Sequence, residues 1–416
     1  MGGAPDGGRD SGSPEGTWEK VATSLSTSRG LFTSLPHAIT ASDGRVLFVG
    51  GASSTAKDAL DLFANGSFTA GTSLGTPRQQ PGVISLADGS VLVAGGSTGG
   101  QHGSAIASVE RWNPATGLWT TLGALDKARN KPPLARMVDG RIFVVGGEVA
   151  MGSFVSAIEL IDPSQNFAVS TAGALTLGRS GHVATPLADG RIFVAGGVDG
   201  SSTAPVATEI FTPGVTGTVG TLTAGPSMTN SHLGTNAARL PNGGFIIAGG
   251  CTGGQKCPTA SATCDAYNPV SGQAGTFVAC EGMKSASAAH AMILLPTGRV
   301  LVAGGFQGST SLTRVEVYDP VTNQWTLVRS LNESRYDAGI ALTSEEKVII
   351  AGGRTGALTS PTYLASAEMF DPGPPTMCTI CQLDGACQIL AAGTPCDDGS
   401  PSTTGETCKG DGVCAP

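Results

Sequence analysis

Seven glycine pairs, each closing a short apolar run, recur along the chain: Gly50-Gly51, Gly95-Gly96, Gly146-Gly147, Gly196-Gly197, Gly249-Gly250, Gly304-Gly305 and Gly352-Gly353. Neighbouring pairs lie 45 to 55 residues apart, a period that marks stacked copies of one supersecondary unit rather than separate domains. A length of 416 residues would otherwise suggest about three domains. Stacked repeats share their burial, so the repeat overrides that expectation.

Aligned on its glycine pair, each repeat has four parts. An apolar segment ends in a tight turn, as in GHVATPLADG (181–190). A run rich in Val, Ile and Phe then enters the glycines, as in RIFVAGG (191–197) and VIIAGG (348–353); such runs between turn signals read as strands buried on both faces. A third strand, as in RVEVYDP (314–320), stops at proline, which cannot continue a ladder. A fourth carries an aromatic, as in LWTTL (118–122) and QWTLV (324–328). Four antiparallel strands per unit and seven units predict an all-β, seven-bladed propeller.

The last repeat reaches its third strand at ASAEMFDP (365–372) and has no aromatic fourth strand after it. The N-terminal stretch TWEKVATSLSTSR (17–29) has the layout of QWTLVRSLNESR (324–335). Trp18 is therefore expected on the outer strand of blade 7, beside Met369, leaving no open edge between first and last blades.

Composition excludes some partners. Charged residues are 13% of the chain and the net charge is −8, whereas nucleic acid needs clustered Lys and Arg to neutralise phosphates. No apolar run approaches the roughly 18 residues that suggest a membrane span. The start, MGGAPDGGRDSGSPEG, lacks the basic and apolar regions of a signal peptide. It reads as a flexible leader (1–16), similar to the tether behind a bacterial lipoprotein anchor.

The succession of glycine pair, Glu316, Tyr318-Asp319-Pro320 and Trp325 resembles the kelch repeat, and the resemblance extends over residues 17–372. It implies a seven-bladed kelch-type propeller and is nearly silent on activity, because function lies in sites rather than folds. Galactose-oxidase-like copper enzymes of this superfamily use a Tyr-His dipeptide. None of Tyr267, Tyr318, Tyr336 and Tyr363 precedes a histidine, which disfavours radical-copper chemistry. The iron pattern of plant nitrile-specifier proteins is met at Glu333 and Asp337 but fails at Ala341. Sialic-acid mutarotases usually have six blades, and no catalytic set of theirs maps onto this chain.

Seventeen residues before the glycine pair stand Arg78, Arg129, Arg179 and Arg335, with Thr33, His232 and Ser287 in the other repeats. An arginine ring on the face of the inter-blade and post-glycine loops suits an anionic ligand. The third strands carry Asp61, Glu110, Glu159, Glu209, Asp265, Glu316 and Glu368 at a matching register, so the repeated arginines read more readily as structural partners of these acids. Residues that break the repeat make the remaining ligand-binding candidates: His232, Glu148, Asp199, Gln307 and Arg354. His182 and His290 share one offset in the inner strand, which points to packing. No metal site, cofactor motif or catalytic set is expected.

Ten cysteines form two groups. Cys264 and Cys280 flank a hairpin turn and are expected to pair, leaving Cys251 and Cys257 to close the loop CTGGQKC; a Cys-x5-Cys zinc loop is the less favoured alternative. Cys378, Cys381, Cys387, Cys396, Cys408 and Cys414 lie in a segment, 373–416, too small to hold a core without disulfides. It resembles cysteine-rich modules appended to secreted proteins of myxobacterial type. Disulfides in two compact groups imply an oxidising compartment. The expectation is an exported, monomeric, extracellular or cell-surface protein binding a protein or glycan on the loop face. The alternative is a carbohydrate-active enzyme, an isomerase, mutarotase or oxidase-like protein, using the same face.

Overall fold

The computed structural model describes residues 16–30, 38–99, 103–200, 206–214, 218–252 and 259–372, with four short strands beyond them. Seven four-stranded antiparallel sheets form the blades of a β-propeller. Blade 1 comprises Ala38–Thr40, Val46–Val49, Leu60–Ala64 and Ser67–Ala70, from inner to outer strand. Blade 3 comprises Leu134–Arg136, Ile142–Val145, Ala157–Asp162 and Ala168–Ala174. Blades 2, 4, 5 and 6 repeat this meander.

In blade 7 the chain supplies Gly339–Leu342, Val348–Ala351 and Ala367–Phe370, and Trp18–Lys20 completes the sheet. The register sets Trp18 opposite Phe370 and Glu19 opposite Met369. The Trp18 ring is buried with its centroid 5.1 Å from that of Phe370. This is the closure expected from the terminal repeat.

Each second strand is buried throughout, as its unbroken apolar run requires. Seven hydrophobic clusters each straddle a joint between neighbouring blades. Trp112, for example, packs with Leu47 and Val49 of blade 1 and Val91 and Val93 of its own blade. A blade is therefore stabilised by its neighbours, as repeat architectures demand.

The glycine pairs are joints too. Gly95 and Gly96 have φ of 64° and 98°, a region open to glycine and costly to most other residues. A Cβ on Gly95 would stand 2.6 Å from the Arg129 carbonyl oxygen of the next blade. Beyond Phe370, strand Thr379–Cys381 pairs with Cys387–Ile389, and Thr407–Cys408 with Cys414–Ala415. The side chains of Cys378, Cys381, Cys387, Cys396, Cys408 and Cys414 lie outside the described residues.

Candidate functional site

The second glycine of each pair donates its N–H across the joint. Gly51 donates to the carbonyl of Arg78, Gly96 to Arg129, Gly147 to Arg179, Gly197 to His232, Gly250 to Ser287 and Gly305 to Arg335, at 2.8–3.1 Å. The series ends with Gly353 donating to Arg29 at 2.9 Å. Arg29, and not Thr33, is thus the blade 1 counterpart of the arginine position. A longer connection to the inner strand displaced it in the count, while the layout of residues 17–29 had it in register; Thr33 itself lies outside the described residues.

The side chains complete the joint within the following blade. Nη1 of Arg78, Arg129, Arg179 and Arg335 donates to Gly95, Gly146, Gly196 and Gly352 carbonyls at 2.9–3.3 Å. Their Nη2 groups pair with Glu110, Glu159, Glu209 and Glu368, and Arg29 pairs with Asp61 at 2.7 Å. The acids in turn accept backbone N–H groups of the inter-blade loops, such as Gly75 on Glu110 and Asn332 on Glu368. All five guanidinium groups are buried. Burial lowers their pKa, and the facing acids oppose that shift; arginine stays charged in either case. The repeated arginines are structural fasteners.

Blades 5 and 6 solve the same problem differently. His232 Nδ1 lies 2.8 Å from the Gly249 carbonyl and Nε2 lies 3.0 Å from Asp265, so His232 stands where arginine stands elsewhere. Ser287 donates to the Gly304 carbonyl at 2.9 Å but is too short to reach Glu316. Burial pushes the Glu316 carboxyl up, and the Lys284 N–H, Arg314 and the Ser285 N–H pull it back. Arg314 stands one residue before the third strand Val315–Asp319, in the column that holds Ser108, Ala157, Ala207, Thr263 and Ser366 in other blades.

His182 and His290 are buried beneath the glycines of the preceding blade: a Cβ on Gly146 would meet the His182 ring, and one on Gly249 the His290 ring. Burial, with Arg179 and Arg129 adding to it, pulls His182 well below the ordinary imidazole range. Burial pulls His290 down to about 4. Both are neutral packing residues at pH 7, and among the described residues no three His, Cys, Asp or Glu side chains gather as a metal site.

Of the candidates that break the repeat, Glu148, Asp199, Gln307 and Arg354 follow glycine pairs, hence share one face. Glu148 begins the hairpin Glu148–Ala150/Ser153–Phe154 of blade 3 and accepts from Lys131 Nζ at 2.7 Å. Asp199 is partly exposed in blade 4, and Gln307 is exposed in the blade 6 hairpin. Arg354 pairs with Asp337 and lies over the Tyr336 ring, 4.7 Å from its centroid. These residues come from different blades around the mouth of the ring; His232 is separated from them by burial in its joint.

A neighbouring feature escaped the search for polar groups. Among the described residues, the exposed large hydrophobics of this face all belong to blades 3 and 4: Met151 at 62% exposure, Leu177 at 57%, Val149 at 46% and Val206 at 39%. Leu177 precedes Arg179 by two residues. The same position holds Thr27, Thr76, Lys127, Asn230, Ser285 and Glu333 in the other repeats, all polar. Comparing repeats column by column would have shown it. Phe154 knits the patch together: its ring reaches Gly200 of blade 4, and its backbone abuts Gly178.

Cys264 and Cys280 form the expected disulfide, with Cα atoms 5.1 Å apart. Cys251 is also disulfide-bonded; Cys257 lies outside the described residues. Among those residues, no helix is long and apolar enough to cross a membrane.

The kelch motif model matches residues 85–125 and 296–332, within blades 2 and 6. Kelch-like protein 35 of Mus musculus is 31% identical over 98 residues, 23% of this chain and 16% of that protein. An F-box/kelch-repeat protein of Arabidopsis thaliana is 29% identical over 123 residues, 29% of this chain and 25% of its own length. Spermatocyte protein spe-26 of Caenorhabditis elegans is 37% identical over 82 residues, covering 18% and 13%. The chain thus spans at most a quarter of these relatives. Among solved structures, a fungal alcohol oxidase of the AA5 family in complex with copper aligns with a TM-score of 0.66 over 86% of this chain and 76% of its own, at 18% identity. That likeness is one of fold.

Proposed function

We propose that this kelch-type propeller is a binding protein that engages a protein partner through the face of its post-glycine hairpins, centred on blades 3 and 4. The observation that carries the reading is the group of exposed apolar residues Met151, Leu177, Val149 and Val206, of which Leu177 and Val149 stand where the other repeats are polar. Apolar side chains rimmed by polar groups mark interaction sites. Kelch-repeat proteins are typically interaction proteins, which agrees with it. The Glu148–Lys131 pair and Asp199 supply the polar rim.

The rival reading, an enzyme acting on an acidic sugar, needs unpaired arginines at the mouth, and Arg78, Arg129, Arg179 and Arg335 are all committed to acids. Hydrogen-bonded glycan recognition retains the mouth residues Gln307, Glu148 and Asp199. Export to the cell surface belongs to this proposal and is supported by the Cys264–Cys280 disulfide. So do monomeric state, a flexible leader over 1–16, a propeller over 17–372 and a stapled module over 373–416.

The test is capture of partners from a cell-surface protein fraction by the wild type, Leu177→Asp with Met151→Asp, and Val321→Asp on the far face. The proposal expects the first and third to retain the same partner and the second to lose it. Equal capture by all three, or capture of glycans alone, would overturn it.

A further inference from the structure

The hairpin Glu148–Ala150/Ser153–Phe154 turns at Met151 and Gly152. Gly152 has φ of 79°, a left-handed turn position suited to glycine. Met151 is thereby held out at the tip, 62% exposed and two residues beyond the exposed Val149. The other methionines of the described residues are withdrawn from solvent. Met137 packs in the joint of blades 3 and 4, Met228 in that of blades 4 and 5, and Met283 and Met292 in that of blades 5 and 6. Each of these is no more than 6% exposed. Met369 is partly buried against the joint of blades 7 and 1.

Exposure decides which sulfur an oxidant meets first. Thiols would compete, but among the described residues no cysteine is free. When the Met151 thioether attacks hydrogen peroxide, the O–O bond breaks and an S–O bond forms. Sulfur gives up two electrons, and the second oxygen leaves as water once it takes the remaining proton. The product is a sulfoxide, which makes a flexible apolar side chain polar. The other members of the patch, Val149, Leu177 and Val206, are hydrocarbon and have no such chemistry. The corresponding hairpins Phe306–Gln307/Thr310–Ser311 and Arg354–Thr355/Thr362–Tyr363 carry no sulfur, and the blade 5 hairpin carries Cys251 already in a disulfide.

We propose that Met151 is a peroxide modification site: its sulfoxide forms ahead of that of every other described methionine and turns the tip of the blade 3 hairpin from apolar to polar. The fold is indifferent to the change, because Met151 belongs to none of the hydrophobic clusters that hold the blades together. The change is also reversible, since methionine sulfoxide reductases restore the thioether. Its regulatory meaning rests on the protein-binding reading above, in which this tip is a partner contact.

Brief exposure of the full chain to dilute hydrogen peroxide, read by peptide mass mapping and by retention on a phenyl resin, tests the site. The Met151 peptide should gain one oxygen about tenfold faster than the peptides holding Met137, Met228, Met283 and Met292. Treated wild type should leave the resin earlier than untreated protein, with an unchanged unfolding midpoint, and a methionine sulfoxide reductase should restore its retention. Met151→Leu, a swap of similar volume, should keep its retention after treatment. Oxygen uptake at Met151 no faster than at the buried methionines, or equal loss of retention by treated wild type and treated Met151→Leu, would overturn the inference. If the untreated protein binds no partner, the protein-binding reading falls, while these two readouts still decide the modification site.

Discussion

The two faces of the ring use arginine in different ways. On the far face, Arg45, Arg141 and Arg191 each follow an Asp-Gly turn, pair with its aspartate, and reach the next blade's third–outer turn at Pro114, Gly214 and Gln273. These links occur in three of the seven blades, and the Arg45 and Arg191 pairs lie nearer solvent than the buried joints. On the hairpin face, the five fastening arginines are buried, and the connections around them differ in length and chemistry from blade to blade. Structure occupies the repeated arginines on both faces; the post-glycine hairpins vary in length as well as residue type, and a binding site needs variation.

Deleting residues 1–30 should break the comparison altogether, since both faces depend on a closed ring. The deletion removes the outer strand of blade 7 and the Arg29–Asp61 pair. We expect loss of the cooperative unfolding transition by circular dichroism; an unchanged transition would refute the closure. The double variant Cys264→Ser/Cys280→Ser probes the hairpin-face end of blade 5. Releasing a loop with a sequence separation of 16 should cost about 3 kcal/mol in urea denaturation. The smallest effect belongs to the far face: Arg45→Ala should cost about 0.2–1 kcal/mol. A loss there as large as at a buried arginine would erase the distinction between the faces.

The fold was legible because every blade needs the same things. Glycines that admit the neighbouring blade's carbonyl, a second strand buried on both sides and an acid on the third strand recur by necessity. The disulfide of blade 5 was legible for a similar reason, as a hairpin fixes which residues stand opposite. Arg29 was harder: an insertion shifts a count but not a motif, so the layout of residues 17–29 was a better guide than distance from Gly50. Arg314 was legible by column, as the one basic residue at a position two before the third-strand acid that otherwise holds Ala, Ser or Thr.

The site was less legible because attention to charged residues favoured the repeat itself. Arg78, Arg129, Arg179 and Arg335 stood out by recurring, and recurrence is a mark of structure. His232 stood out by departing from the repeat, yet it replaces arginine in the same buried role. Leu177 departs from six polar counterparts without any catalytic chemistry, and its exposure becomes evident once the fold shows which loops face water.

The central claim is that the repeated arginines hold the ring and do not serve a ligand. Its most direct test is a double-mutant cycle on Arg129 and Glu159 read by urea denaturation. Each single alanine variant should lose about 3–5 kcal/mol, and the coupling between them should exceed about 1 kcal/mol. Single variants as stable as the wild type, with partner or ligand binding lost instead, would contradict it.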